Sequence, residues 1–514
     1  MDIIDIAFVG SGAASAITLI ELFNKLIDKH PRQQKLAITV IDKYHEFWKG
    51  VPYGSRSSIN SLTITAVSDF ISEAKEQVLF FNWIKKNLID LVSYYELHGG
   101  TAASKWLAEN LPLINNGEWD KVYIPRFLFG FYLENKLLAL LKIAEEKKLA
   151  EVTLIQAEAI DVEIRADGLY NLILEHPCKN QTCIRVKKLV IATGSAPVKR
   201  HIADLNNNSY TYINDIYEPL LDENIKILND ALIPEKNKKE RNILLIGSNA
   251  SSVEILYILN NLPDLKKRIN KIVVISPTGR MPYHINEDQP DNYPCCHLDI
   301  LKERGQYDIH ILVNAAKKDI DQTIRYGTIN LPRAQHVINY TLELMEALDS
   351  DAKKIFYGIY GMQLTRLIRR SGPAYKNASE ELLQTRRLKI IKGEFVKVTP
   401  AANGGTLKYA DQLTKELHVF ELPFKVIINC TGSDDLENSA SRLIYNLVKK
   451  NICHVNLSRK GFFVNENFEA APNLYVIGPL MGGNMNKVIR SWHVENVAKI
   501  WSLSFFLTDI LLKG

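Results

Sequence analysis

The chain of 514 residues is too long for one ordinary hydrophobic core, and about two to four domains are expected. A hydrophobic fraction of 46% with 24% charged residues excludes a disordered chain. The net charge of +5 is small for this length, and no basic block is interleaved with aromatics, so composition offers no case for nucleic acid.

The chain enters an apolar run within a few residues, with no basic leader or cleavage site, so no signal peptide is expected. The run Ile6–Val9 breaks at Gly10-Ser11-Gly12-Ala13-Ala14-Ser15 and resumes as an amphipathic pattern through Ile17, Leu19, Ile20 and Leu22. This predicts strand, tight turn and helix. A dinucleotide pyrophosphate needs such a turn: glycines let the backbone approach, and the helix N-terminus offers unpaired N–H groups and a positive dipole end. An ordinary strand-to-helix turn is the other reading of the same residues. Asp42, closing the next apolar run Ala37–Ile41, favours the dinucleotide, because a carboxylate there accepts hydrogen bonds from a ribose.

Phe47–Gly54 is a glycine- and aromatic-rich loop that either stacks on a flat ring or tucks two aromatics into the core. Residues 84–150 read mostly as helix, interrupted at Tyr123–Phe127, where a proline starts a helix and Arg126 suits an anion contact or simple solvation. From Val152 the period drops towards two, predicting a small strand-rich layer. It ends in a buried strand and Thr193-Gly194-Ser195-Ala196-Pro197, which sets a boundary near residue 197. The charge run Pro234–Arg241 reads as a solvated connector.

Ile243–Ser252 then repeats the opening pattern at a constant offset of 237, pairing Gly10 with Gly247, Gly12 with Asn249 and Ser15 with Ser252. A duplicated strand-turn-helix predicts two dinucleotide sites. The strand after the second copy, Ile272–Ile275, closes on Ser276 with Arg280 four residues later, where the first copy has Asp42. A hydroxyl and a guanidinium accept a 2′-phosphate that a carboxylate would repel, so NADPH is expected here rather than NADH. Asn249 can adopt the left-handed conformation that glycine uses, but its side chain would crowd the pyrophosphate, so weak or lost nicotinamide binding is the other reading of this turn.

Residues 285–385 read as a largely helical insertion, a lid or substrate wall, beginning with the turn-rich Asn286–Pro294. Cys295-Cys296-His297 lacks zinc-site spacing and reads as buried or idle thiols. Strand patterns return at Phe395–Val398 and Thr406–Tyr409, and Phe424–Ser433 echoes Val190–Ser195, each ending in Thr-Gly-Ser as at a crossing between two nucleotide domains. Asn473–Asn484 is another strand opening into glycines, placed to meet the other end of the first dinucleotide. Ile500–Leu512 is too short and too interrupted to span a bilayer, so it reads as a buried terminal helix. The six cysteines form neither a disulfide framework nor a metal pattern, so no metal and a reduced, cytoplasmic setting are expected. Cys178 and Cys183 sit in a polar turn far from the first dinucleotide turn, which argues against a flavin disulfide reductase.

Together these motifs resemble the flavoproteins with two dinucleotide-binding domains, and within them the FAD/NAD(P)-binding family related to amino-acid N-hydroxylases and FAD-dependent urate hydroxylases. The resemblance covers most of the chain. It implies an α/β fold of two Rossmann-like domains, of FAD and NADPH type, with a largely helical insertion. Residues 1–197 would be the first part of the FAD-binding domain, 198–424 the NAD(P)H-binding domain with its insertion at 285–385, and 425–514 the second part of the FAD-binding domain. For FAD, the resemblance assigns Gly10, Gly12, Ala13, Ala14, Ser15 and Asp42 to the adenosine and pyrophosphate, and Trp48 to Gly54 with Asn60 to the neighbourhood of the isoalloxazine. Arg126 lies in a family pattern near the FAD, Thr193-Gly194 and Thr431-Gly432 on the crossover strands, and Gly478, Pro479, Gly483 and Asn484 over the ribityl chain and ring. For NADPH the repeated turn and the strand after it offer Gly247, Asn249, Ser251, Ser252, Ser276 and Arg280; Arg280 with Pro282 and His284 also resembles a family pattern, and Asn249 departs from the family's usual glycine.

The function so implied is an FAD-dependent, NADPH-linked, single-component monooxygenase that uses molecular oxygen, through a C4a-hydroperoxyflavin, on a small polar substrate such as an amino-acid amine or a purine. The flavin carries that chemistry, so few catalytic side chains are expected. His284, Tyr53 and Asn60 are the candidates for contacts with substrate or intermediate, each with a plain reading as a loop hydrogen-bonder. The alternatives are a flavin dehydrogenase or oxidase without oxygen insertion, and a non-catalytic FAD-binding regulatory protein.

Overall fold

The computed structural model describes residues 3–28, 35–71, 73–202, 209–234, 237–286, 294–325 and 327–513. The first strand, β1 (Ile4–Val9), is apolar at nearly every position because it runs through the middle of a parallel sheet with both faces covered. It lies between β2 (Leu36–Asp42), with Phe8 opposite Val40, and a long strand, Gln181–Ile191, with Phe8 opposite Val190. On the β2 side the parallel layer is extended by β3 (Ala150–Gln156). Next come β4 (Glu158–Ile164) and β5 (Tyr170–Glu175), which form an antiparallel set with β6 (Gln181–Ile191); this is the strand-rich layer that the alternating pattern predicts. A late strand, Leu474–Val476, pairs with the far side of β6.

Helix α1 (Ala13–Asp28) is buried on most of its surface because neighbouring helices cover it. One is α2 (Arg126–Glu146). The other is the C-terminal helix Val497–Leu511, held by Thr18 to Ser504 at 2.8 Å, Trp501 Nε1 donating to Glu21 at 2.7 Å, and an ion pair from Lys25 to Asp509 at 2.9 Å. The apolar C-terminal tract is therefore a packed helix, and no helix of the described residues is long and apolar enough to cross a membrane.

A second sheet, parallel throughout, contains β7 (Thr211–Ile213), β8 (Asn242–Ile246), β9 (Lys271–Ser276), β10 (Leu388–Lys392) and β11 (Val426–Asn429), in the order β10-β9-β8-β11-β7. Its first helix after β8 is α3 (Ala250–Asn261). The strand at 426–429, expected to open the second part of the FAD-binding domain, is thus an inner strand of the second sheet, between β8 and β7. The chain returns to the first domain only after Gly432.

The insertion is shorter than the 285–385 expected from its pattern. Helices from Cys296 to Leu367 enclose a core of their own around Leu298, Leu312, Val337, Phe356 and Leu364. A small sheet joins Tyr283–Asn286 to Thr328–Asn330 and Arg370–Ser371. Helix α4 (Pro373–Gln384) instead packs on α3, with Tyr257 and Tyr375 edge to face at 5.1 Å, and leads into β10. It is the crossover helix of the second nucleotide domain, and helical periodicity cannot distinguish that from membership of the insertion. Of the turn expected at 286–294, residues 287–293 lie outside the described residues, as do 235 and 236 of the charge run.

Candidate functional site

The two predicted turns have the same backbone geometry. Gly10 has φ +93°, and its N–H donates to Ile41 O at 2.8 Å; Gly247 has φ +104° and donates to Ile275 O at 2.8 Å. A Cβ added at Gly10 would stand 2.4 Å from Ala192 O, and one at Gly247 would stand 2.6 Å from Cys430 O. Ser15 and Ser252 are both fully buried, and each hydroxyl donates to the carbonyl of its own glycine at 2.5 Å. The serines therefore brace their turns from beneath. Across each turn the crossover strand ends in a glycine, Gly194 at φ +80° and Gly432 at φ +114°, with nothing within 4 Å of where a Cβ would be. Backbone thus faces open space at the carboxyl ends of both sheets, where doubly wound folds take their ligands.

At the first turn, spacing rather than dihedral explains the second glycine. A Cβ on Gly12 would lie 3.4 Å from Gly50 Cα, and one on Gly50, at φ +63°, would lie 2.9 Å from Gly12 Cα. The Trp48 N–H donates to Ser11 O at 2.7 Å, so the Phe47–Gly54 loop folds directly onto the turn while the Trp48 ring is buried. Asp42 Oδ2 accepts the N–H and the hydroxyl of Ser11, both at 2.8 Å, and Oδ1 accepts the Tyr44 N–H at 3.0 Å. A carboxylate oxygen accepts two hydrogen bonds, so Oδ1 retains capacity for a ribose hydroxyl. Gly478, at φ +85°, leads into Pro479 and comes against the turn: a Cβ there would stand 3.3 Å from Ala14 Cβ, beside the buried Ala13. Small residues, an open backbone edge and an acid at the end of β2 fit the pyrophosphate and ribose of FAD.

Several assigned residues are committed elsewhere. Asn484 is 2% exposed; its amide donates to Phe462 O at 2.7 Å and Met481 O at 2.8 Å, and its Oδ1 accepts the Val464 N–H at 3.0 Å. It braces the segment that carries Gly483, which has φ +87° and lies against Ser458, and both of its amide protons are used in doing so. Tyr53 is buried edge to face against Phe129 and Phe70, at ring distances of 5.1 and 6.0 Å, and burial raises its phenol above the ordinary range. Asn60 donates to Gly99 O at 3.1 Å, within the helical layer of the first domain. His284 stands on the insertion sheet, opposite Thr328 and Ser371.

Arg126 is the clearest departure from expectation. Its guanidinium pairs with Glu254 on α3, of the second nucleotide domain, at 2.5 Å, and its backbone N–H donates to Ser61 O at 2.8 Å. The Ser61 hydroxyl donates to the other Glu254 oxygen at 2.5 Å. The Tyr375 hydroxyl bridges the N–H and carbonyl of Leu62, at 2.8 and 3.0 Å. Burial works most strongly against the Arg126 charge, but the Glu254 carboxylate together with Tyr375, Tyr217 and Tyr53 offsets it and holds the guanidinium above its ordinary range. Glu254 was missed by sequence reasoning, although the offset of 237 pairs it with the apolar Ile17, and an acid in that place is a readable signal.

At the second turn, Asn249 has φ −84° and ψ −170°, an extended N-cap that makes no use of the left-handed conformation open to asparagine. Its Oδ1 accepts a hydrogen bond from Arg369 Nη1 at 2.5 Å. The Ser251 side chain hydrogen-bonds to Tyr217. Ser276 is buried and its hydroxyl accepts the Gly279 N–H at 3.1 Å, so it shapes the loop after β9. Arg280 is exposed, with Nη1 donating to the Tyr283 hydroxyl at 3.0 Å. Thr193 is exposed, whereas Thr431 is engaged by His201 at 3.0 Å and by Asn429 at 2.8 Å. All six cysteines are unpaired, and no group of three or more metal-ligating side chains that could hold a metal ion occurs among the described residues.

The profile of the FAD-NAD(P)-binding family matches residues 7–196, which span the first turn and its crossover strand. An uncharacterised Mycobacterium tuberculosis protein is 34% identical over 512 residues, covering 99% of this chain and 95% of its own length. The chain belongs to this FAD/NAD(P)-binding flavoprotein family. Among solved structures, the fold is similar to that of the FAD-bound cadaverine monooxygenase of desferrioxamine biosynthesis from Erwinia amylovora, with a TM-score of 0.56, 13% identity, and coverage of 100% of this chain and 95% of that one. It is also similar to the ornithine N-hydroxylase of Kutzneria sp. 744, with a TM-score of 0.54, 14% identity, and coverage of 99% of each chain.

Proposed function

We infer that this FAD-dependent oxidoreductase is an NADPH-linked monooxygenase that hydroxylates a small polar substrate, an amino-acid-like amine or a purine. The observation that carries the reading is the pair of turns with one backbone geometry and opposite charge logic: Asp42 beside the first, Arg280 beside the second. The fold shared with enzymes whose substrates are cadaverine and ornithine supports the amine class over the purine. FAD bound at the first turn would supply electron transfer and oxygen activation.

The chain supplies position and shelter. Gly10, Gly12 and Gly50 let a pyrophosphate approach the backbone, and Asp42 Oδ1 takes a ribose hydroxyl. Arg280 pairs with the 2′-phosphate of the second nucleotide. Thr193-Gly194 and Thr431-Gly432 would border the nucleotides, and the insertion, which reaches the second turn through Arg369, would help to exclude water. The unpaired thiols provide no redox pair for a disulfide reductase and suit a reducing, cytoplasmic compartment.

FAD-loaded protein mixed with NADPH without oxygen should lose its visible flavin absorbance, and readmitted oxygen should yield a product heavier by one oxygen atom in a screen of amino acids, polyamines and purines. Absence of bleaching with NADPH and NADH alike overturns the reading; bleaching with no oxygenated product in that screen assigns a dehydrogenase or oxidase. Arg280→Ala should raise KM for NADPH about tenfold or more, the worth of a charge-assisted phosphate contact, and leave KM for NADH unchanged. Equal weakening of both would place the 2′-phosphate elsewhere.

A further inference from the structure

The second turn lacks the glycine that the first one uses, and a side chain of the insertion stands in that place. Asn249 caps α3 by backbone geometry alone, with no side-chain hydrogen bond to the helix. Asparagine is a good N-cap because its side-chain oxygen takes an orphan N–H of the first turn. Here that oxygen is turned to Arg369 Nη1, at 2.5 Å, so the cap is not made and the positive end of the helix is not screened by it.

The hydrogen-bond partner of the Arg369 guanidinium is the neutral amide of Asn249, and no carboxylate of the described residues lies within ion-pair distance of it, although Glu495 is near enough to act on its charge. Burial lowers its tendency to carry charge, the neighbouring cation Arg366 works the same way, and Glu495 opposes them. A partly buried guanidinium without a paired carboxylate is suited to an anionic ligand.

The position of Arg369 is fixed through the frame that also carries Arg280. The Arg280 guanidinium donates to the Tyr283 hydroxyl at 3.0 Å, the Tyr283 N–H donates to Arg369 O at 2.7 Å, and Arg369 in turn donates to Asn249. One strand of the insertion sheet thus links two guanidinium groups. Arg280 stands at the end of β9, where the adenosine 2′-position is expected, and Arg369 at the turn before α3, where the pyrophosphate is expected.

We propose that Arg369, delivered by the insertion and aimed by Asn249, binds the pyrophosphate of the nicotinamide dinucleotide, replacing with charge the close backbone approach that glycine provides at the first turn. This rests on the assignment of NADP(H) to the second turn. The pyrophosphate is common to NADPH and NADH, so Arg369 sets affinity for both while Arg280 sets the choice between them.

The test is calorimetric titration of full-length, FAD-loaded protein with NADP+ and, separately, NAD+. Arg369→Gln should weaken both about tenfold or more and by the same factor, with the visible flavin spectrum unchanged. Arg369→Lys should recover part of the loss, because a point charge remains without the planar fork. Asn249→Gly, which removes the acceptor but restores the glycine, should bind more tightly than Arg369→Gln. Binding by Arg369→Gln within twofold of wild type, or weakening of NADP+ alone, overturns the proposal. A wild type that binds neither nucleotide overturns the NADP(H) assignment itself, and this proposal with it.

Discussion

Gly10→Ala is expected to yield protein that purifies without FAD, whereas Gly247→Ala retains FAD but is no longer reduced by NADPH. At each position the side chain has nowhere to go. The backbone is at φ +93° or +104°, outside what L-residues adopt readily, and the new Cβ would lie 2.4 Å or 2.6 Å from a carbonyl oxygen of the crossover strand. Each carbonyl belongs to the residue just past its strand, tied by its own N–H to the neighbouring strand (Ala192 to Val9 O and Cys430 to Ile246 O, both at 2.8 Å), and cannot swing aside as a flexible side chain could. The turn must open instead, which breaks the 2.8 Å bond from its N–H to the neighbouring strand and moves the N-terminus of the following helix away from the phosphates. The ratio of flavin absorbance to protein absorbance reads the first variant, and anaerobic bleaching reads the second. Stoichiometric FAD in Gly10→Ala would remove the first turn from the flavin site, and loss of FAD from Gly247→Ala would reverse the order of the two sites.

Glu254→Gln should cost about 3–5 kcal/mol of stability, because it strands a buried Arg126 guanidinium. The carboxylate is 5% exposed and the guanidinium 20%, so water replaces only part of the lost interaction. The neutral amide still accepts one hydrogen bond but no longer balances the charge. Pairing the change with Arg126→Met should recover most of the loss, since no charge is then left buried; a double variant no more stable than Glu254→Gln would show that the pair is not the source of the cost. The denaturation midpoint measures this. The same ion pair joins the first domain to the helix that carries the second turn. FAD-loaded Glu254→Gln should therefore be reduced more slowly by NADPH at saturation than wild type, while dithionite reduces both alike. Equal rates with NADPH would make the pair a matter of stability only.

Much of the nucleotide framework was legible along the chain, because each part is a local demand on the backbone. A glycine at positive φ between a buried strand and a helix, a serine five residues later to brace it, and an acid at the end of the next strand are near neighbours in sequence. The glycine and the serine, though not the acid, recur at an offset of 237, and the two turns share one backbone geometry. The alternating run after Val152 and the apolar C-terminal helix were legible for the same reason.

What tertiary structure alone decided was the use made of side chains and edges that are compatible with several environments. Arg126 at a helix start suits an anion, and only the docking of α3 shows that the anion is Glu254. Asn484 beside glycines suits a flavin, and only the return of Phe462–Val464 consumes its amide. The apolar run at 426–429 reads as a strand from its own residues, yet its sheet is set by whether β8 or β1 offers a free edge beside it. Asn249 and Arg369 lie 120 residues apart and meet because the insertion folds back over the turn. The sequence by itself determined where the backbone must bend to admit two dinucleotides, since steric limits on φ and ψ act within a few residues. The fold decided which charges face those bends, since a long polar side chain takes its partner from whichever surface packing brings within reach.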